Sequence, residues 1–186
     1  VPAFFLTFIG VVLLSFGGRD QVLVARLARA LGSHPGLAVA GAIASALCAT
    51  GFAIAGGLTA RMMQGPAQTM LIALALTVAA AELALQRVEK EPRQPTRSLF
   101  AAWVAIVWRQ CLDAPRLFIF AMAAWSGAPP FVAAGGTLAA ILTLIGAISL
   151  HASLPFARIS FIRRIIAAPV MIIALVIGMT DLGMLG

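Results

Sequence analysis

Apolar runs of near twenty residues, parted by short clusters of charge, dominate this chain, and no other feature restricts its fold as much. A helix needs about 20 such residues to cross hydrocarbon, and a segment in lipid must satisfy its own backbone hydrogen bonds, which runs this long do as α-helices. Six spans are expected, over about 3–25, 36–58, 67–86, 99–124, 130–151 and 164–182. Turn-forming or charged separators lie at 32–35, 61–66, 87–97, 127–130 and 155–164. Composition agrees: 62% of the 186 residues are apolar and 10% charged, against about 45–50% and about 25% in soluble domains. The expected class is therefore all-α and polytopic, and a water-soluble domain is excluded. The first run has no basic region before it and no small-residue cleavage pattern after it, so it is expected to stay as a span.

Orientation follows from the basic residues. The segments after spans one, three and five hold Arg26 and Arg29, then Arg87, Lys90, Arg93 and Arg97, then Arg158, Arg163 and Arg164, whereas the opposite side holds Arg61. The positive-inside rule puts both termini outside and the 87–97 segment, a polar linker with Glu89, Glu91, Pro92 and Pro95, in the cytoplasm. The Arg-over-Lys bias hints at a GC-rich bacterial source, so a bacterial inner membrane is the expected location. The net charge of +7 flanks apolar runs instead of interleaving with aromatics, which argues against a nucleic-acid partner. The expected partners are the bilayer and a small inorganic ion, with a homo-oligomer left open.

An internal repeat shows at an offset of 95 residues: Phe5 with Phe100, Val12 with Val107, Ala28 with Ala123, Pro35 with Pro130, Gly41 with Gly136, Leu47 with Leu142 and Gly51 with Gly146. The expected units are 1–88 and 98–186, joined by the linker 89–97. Each unit holds three spans, an odd number, so the second enters the membrane from the opposite side. Such inverted repeats are a common build for secondary transporters, whose ion sites sit at interrupted helices.

The repeat singles out one place in each half. Ser15, Phe16, Gly17, Gly18, Arg19, Asp20 and Gln21 align with Gln110, Cys111, Leu112, Asp113, Ala114, Pro115 and Arg116. Both copies carry a helix breaker: paired glycines in the first, Pro115 in the second, whose ring would free the Cys111 carbonyl as an ion ligand. Arg109, Asp113 and Arg116 together would cost roughly 9 kcal/mol at the centre of a lone span, against roughly 5 kcal/mol returned by its apolar residues. Span four must then face protein or water, which makes its charges functional candidates.

Plainer readings stand beside these. The membrane part of span one can end at Gly18, leaving a basic interfacial helix. Asp113, four residues after Arg109 and three before Arg116, shares a helical face with both if the helix continues, as a structural ion pair would. Glu82 reads as an end charge reaching the interface, ahead of a proton relay. His34 and His151 read as interfacial, and Cys48 and Cys111 as packing thiols without metal-ligand spacing. No nucleophile with a histidine partner and no phosphate loop is present, so an enzyme is not expected.

The chain resembles the two-repeat cation/proton exchangers of the uncharacterised protein family 0016 group, which carry Glu-x-Gly-Asp-(Lys/Arg)-(Ser/Thr), often followed by Gln, once per three-helix repeat. Ser15 to Gln21 keeps the Gly at Gly17, the basic residue at Arg19 and the Gln, with Ser15, Gly18 and Asp20 in place of the Glu, the Asp and the hydroxyl residue. Gln110 to Pro115 keeps Asp113 alone. The resemblance implies exchange of manganese or calcium for protons, with no bound cofactor. It implies metal ligation by Asp113 and Asp20, helped by Gln110, Ser15 and the backbone of Gly17, Gly18 and Cys111. Arg19, Arg109 and Arg116 would line that site and leave it net positive. Two other outcomes stay open: transport of an anion or other small solute through these arginines, and a membrane partner protein that has lost transport.

Overall fold

The computed structural model describes residues 1–15, 18–31, 35–63, 65–85, 98–149 and 156–181, the side chains of 19, 20, 26, 29–31 and 156–160 excepted. Regular structure among them is entirely α-helical: α1 (Pro2–Ser15), α2 (Arg19–Leu31), α3 (Pro35–Ala60), α4 (Gly65–Leu85), α5 (Leu99–Cys111), α6 (Ala114–Ser126), α7 (Pro129–Ser149) and α8 (Phe156–Asp181). Four of these, α3, α4, α7 and the 161–181 part of α8, are long and apolar enough to cross a membrane. They also present Val39, Ile43, Leu47, Leu74, Leu138, Leu142, Ile172 and Ile173 outward. A helix apolar on its outer as well as its inner face belongs in lipid, and the chain is an integral membrane protein.

Expected spans one and four each form two helices of 14 and 13, and 13 and 13, residues. The second of these interruptions falls at Leu112 and Asp113, ahead of Pro115. Pro115 occupies the first turn of α6, where its missing N–H costs nothing and its fixed φ suits helix entry; it starts a helix here and does not kink one. Because the helix stops, Asp113 and Arg109 do not share a continuous face. The α8 helix begins at Phe156, earlier than expected, and takes in Arg163, one of the charges assigned to a loop.

Several contacts between elements are paired across the repeat, whereas those of α6 with α4 and α7 have no counterpart of like size at α2 among the described residues. α1 lies on α7 as α5 lies on α3, α1 meets α6 as α2 meets α5, and α3 meets α6 as α2 meets α7; α3 packs on α7 and α4 on α8. Gly41 faces Leu144, Gly136 faces Ala49, and Gly57 faces Pro129, so α3 and α7 run antiparallel. Ala73 against Gly178 and Glu82 against Arg163 show that α4 and α8 run antiparallel as well. The apolar face of α2, with Val24, Leu27 and Ala28, is buried against Leu37, Ala44, Ala102, Ile106 and Leu144, which removes it from a purely interfacial role.

Small side chains let these backbones approach, as membrane interfaces require. The α-carbon of Gly56 lies so near the Phe120 carbonyl that an added methyl would strike backbone. Gly51, five residues earlier on α3, faces open space. Gly56→Ala is expected to destabilise the fold by about 1–3 kcal/mol by overpacking, with Gly51→Ala unchanged or more stable; thermal unfolding of both variants in detergent checks this.

Candidate functional site

At both helix breaks an amide donates to the carbonyl three residues before it. The Gly18 amide donates to the Ser15 carbonyl at 2.9 Å, and the Asp113 amide donates to the Gln110 carbonyl at 3.3 Å. Ser15 and Gln110 are 2% and 0% exposed, Asp113 is buried at 8%, and Gly18 is buried too. All four positions at which the resembled exchangers carry acids are thus enclosed by protein. The second break lies beside the middle of α3, since Cys111 Sγ is 3.8 Å from Cys48 Sγ. Gly17 lies outside the described residues, and so do the side chains of Arg19 and Asp20 and the whole of His34, His151 and 87–97.

Around the second break the backbone is satisfied locally. The end of α5 is capped by two successive amides, that of Leu112 donating to the Arg109 carbonyl at 3.2 Å and that of Asp113 to the Gln110 carbonyl. Asp113 occupies the N-cap of α6 with extended φ and ψ, yet its side chain makes no capping hydrogen bond. The cap comes from another helix: the Ala114 amide donates to Glu82 Oε2 at 3.0 Å. The Arg116 amide donates to the Asp113 carbonyl at 3.0 Å, and Pro115 has no amide hydrogen. A carboxylate at a helix start is favoured by the macrodipole as well as by the hydrogen bond. Glu82, expected as an interfacial end charge, therefore turns inward and puts a second carboxylate beside the residue that follows Asp113.

Further polar groups converge from α3 and α8. Gln110 Nε2 donates to Ser45 Oγ at 3.0 Å, leaving Gln110 Oε1 buried without a partner. Arg163 Nη2 donates to the Glu82 carbonyl at 3.2 Å, with Arg163 only 3% exposed. Arg116, 2% exposed, stands beside Cys48 with Nε and Nη2 unpartnered. Sequence reasoning did not weigh Ser45 or the inward turn of Arg163. Ser45 is an isolated hydroxyl in an apolar run, a faint signal; Arg163 was hidden by the neighbouring Arg164, which is exposed.

Among the described residues no three His, Cys, Asp or Glu side chains gather as a metal cluster. The polar groups along the elements at this break are mixed: the carboxylates of Asp113 and Glu82, one orphaned amide oxygen, and buried guanidinium groups. Oxygen donors of this kind suit hard cations or protons, and the guanidinium suits anions. The chain matches no protein-family model, no curated protein and no solved structure.

Two stability measurements probe this arrangement. Glu82→Ala is expected to cost about 1–2 kcal/mol by uncapping α6, whereas Glu82→Gln, which keeps an acceptor, loses less; equilibrium unfolding in detergent separates them. Ser45→Ala should cost about 1–3 kcal/mol because it strands the whole Gln110 amide. Adding Gln110→Leu to Ser45→Ala should recover part of that loss, and additive effects in the double-mutant cycle would show that the two side chains do not interact.

Proposed function

We propose that the chain is a small-ion transporter built from two inverted three-span halves, 1–88 and 98–186, that work by alternating access across a bacterial inner membrane. The observation that carries this reading is the pair of helix breaks 95 residues apart, each bridged by the same backbone hydrogen bond between buried residues, Ser15 with Gly18 and Gln110 with Asp113. The contacts paired across the repeat and the opposite senses of α3 and α7, and of α4 and α8, support the inversion. Irregular backbone at membrane depth is tolerated where protein encloses it or water reaches it, and transporters place their ion sites there.

For cargo, the oxygen donors favour exchange of a divalent cation, manganese or calcium, for protons. Asp113 is the principal ligand, Glu82 is the second carboxylate at the same helix start, and Gln110 Oε1 is an unclaimed oxygen. A carboxylate that exchanges a proton for a cation couples the two flows at one atom. Ser15, Gly18 and Asp20 belong to the corresponding position of the first half.

One observation favours a second reading: the unpartnered Nε and Nη2 of Arg116 would hold an anion. Purified chain in proteoliposomes under an imposed proton gradient decides between them. Manganese- or calcium-driven proton flux is expected, lost to background in Asp113→Asn and retained in Gly51→Ala. Flux indifferent to divalent cations, dependent on the anion supplied and lost in Arg116→Gln would select the anion reading. Absence of flux with every ion, from protein shown to be folded, would replace both with a non-transporting membrane partner.

A further inference from the structure

The cation reading makes no use of the thiols of Cys48 and Cys111. They face each other across the contact between α3 and the end of α5, Sγ to Sγ 3.8 Å. Cys48 is buried and Cys111 is exposed. Both line a groove of about 310 Å³ with Leu47, Gly51, Phe52 and Val107, open at the surface of the bundle. The lining is otherwise apolar, so a hard cation that must exchange water for several oxygens finds no ligands there, whereas a soft cation needs only the two sulfurs.

Arg116 supplies a second, independent observation. Its guanidinium stands beside Cys48, 2% exposed, with Nε and Nη2 unpartnered. Arginine does not deprotonate in proteins, so a fixed positive charge with unused donors adjoins the thiol pair. Two neutral thiols contribute nothing against that charge. Two thiolates holding one monovalent cation carry a net charge of minus one and match it.

We propose that Cys48 and Cys111 form a two-thiolate site for a soft monovalent cation, Cu⁺ or Ag⁺, with Arg116 as its counter-charge. Binding forms two sulfur–metal bonds, breaks two S–H bonds and releases two protons to solvent; the metal keeps its oxidation state and no electron is transferred. The assembled group is neutral overall, which an apolar surrounding requires. If the ion kept about the 2.3 Å that thiolates keep from zinc, a linear bridge would need the sulfurs, now 3.8 Å apart, to part by about 0.8 Å. A disulfide would instead need the sulfurs to close by about 1.8 Å, to about 2.05 Å.

The test uses the full chain, reduced and kept anaerobic in detergent, with Cu⁺ delivered from a chromogenic Cu⁺ chelator that reports competition. One Cu⁺ per chain is expected, displaced by Ag⁺, with a raised melting temperature and protection of Cys111 from maleimide. Cys111→Ala, at an exposed position, should abolish uptake and protection, and Cys48→Ser should do the same. Arg116→Gln should weaken binding by about 10- to 100-fold while both thiols remain, the scale of loss seen when an outer-shell partner is removed. Wild-type affinity in Cys111→Ala would overturn the proposal. So would reduced wild-type protein that takes up no Cu⁺, whether or not its thiols then oxidise to a disulfide. Manganese or calcium flux has no bearing on either result, so this site and the transport reading stand or fall separately.

Discussion

An interrupted helix inside lipid is tolerable only when its loose backbone groups find partners in protein, and that requirement organises this molecule. At the α5–α6 break the donors at the new helix start are the amides of Ala114 and Arg116, because Pro115 has none. The first is taken by Glu82 and the second by Asp113's own carbonyl. Glu82 can do this only because α4 packs on α6 and α8. Arg163, reaching from α8 to the Glu82 carbonyl, ties that third helix to the same point. Helix break, cap and bundle packing are one interaction seen at three scales.

The price of burying these charges sets the rest. On the insertion scale a central Arg costs about 2.5–3.5 kcal/mol, so Arg116 in the first turn of α6 would expel a lone helix from lipid. Close approach of α6 to α3, made possible where Gly56 meets Phe120 and Ala123, encloses it instead. The glycine that serves packing thereby places the guanidinium beside Cys48. Packing and chemistry cannot be assigned to separate residues here.

How much was legible in the sequence depends on the range of the interaction. The long helices α3, α4 and α7 lie within a few residues of their expected positions, because the run of apolar residues that makes a span is local and lipid amplifies it. The interruption of span four was legible from Pro115 and its charges, but its register was not. Proline disfavours a continuous helix on its N-terminal side, though α8 runs through Pro169, and it does not say which residue becomes the cap. The inward turn of Glu82 was not legible, since it depends on α6 starting within reach of α4, a contact 32 residues away in sequence. The link between Ser45 and Gln110 spans 65 residues and is invisible for the same reason.

The two breaks share a backbone hydrogen bond but not a chemistry, and that asymmetry bears on what a paired site can do. Where the second half has Gln110, Asp113 and Arg116, the first has Ser15, Gly18 and Gln21; where α3 and α4 bring Ser45 and Glu82, the aligned positions of α7 and α8 are Ala140 and Ile177. Charge in the first half comes instead from Arg19 and Asp20, which directly follow the turn. A divalent cation held symmetrically between the halves would draw hard ligands from both, and the aligned positions offer them from one. On the repeat reading, cation binding therefore centres on the α5–α6 break and on the helix, α4, that caps it. On the same reading the first half would be the surface against which that break moves. With Ser15, Gly18 and Gln21 neutral, the aligned positions would bring one set of ions to that contact instead of two, which lowers the desolvation cost of each transition.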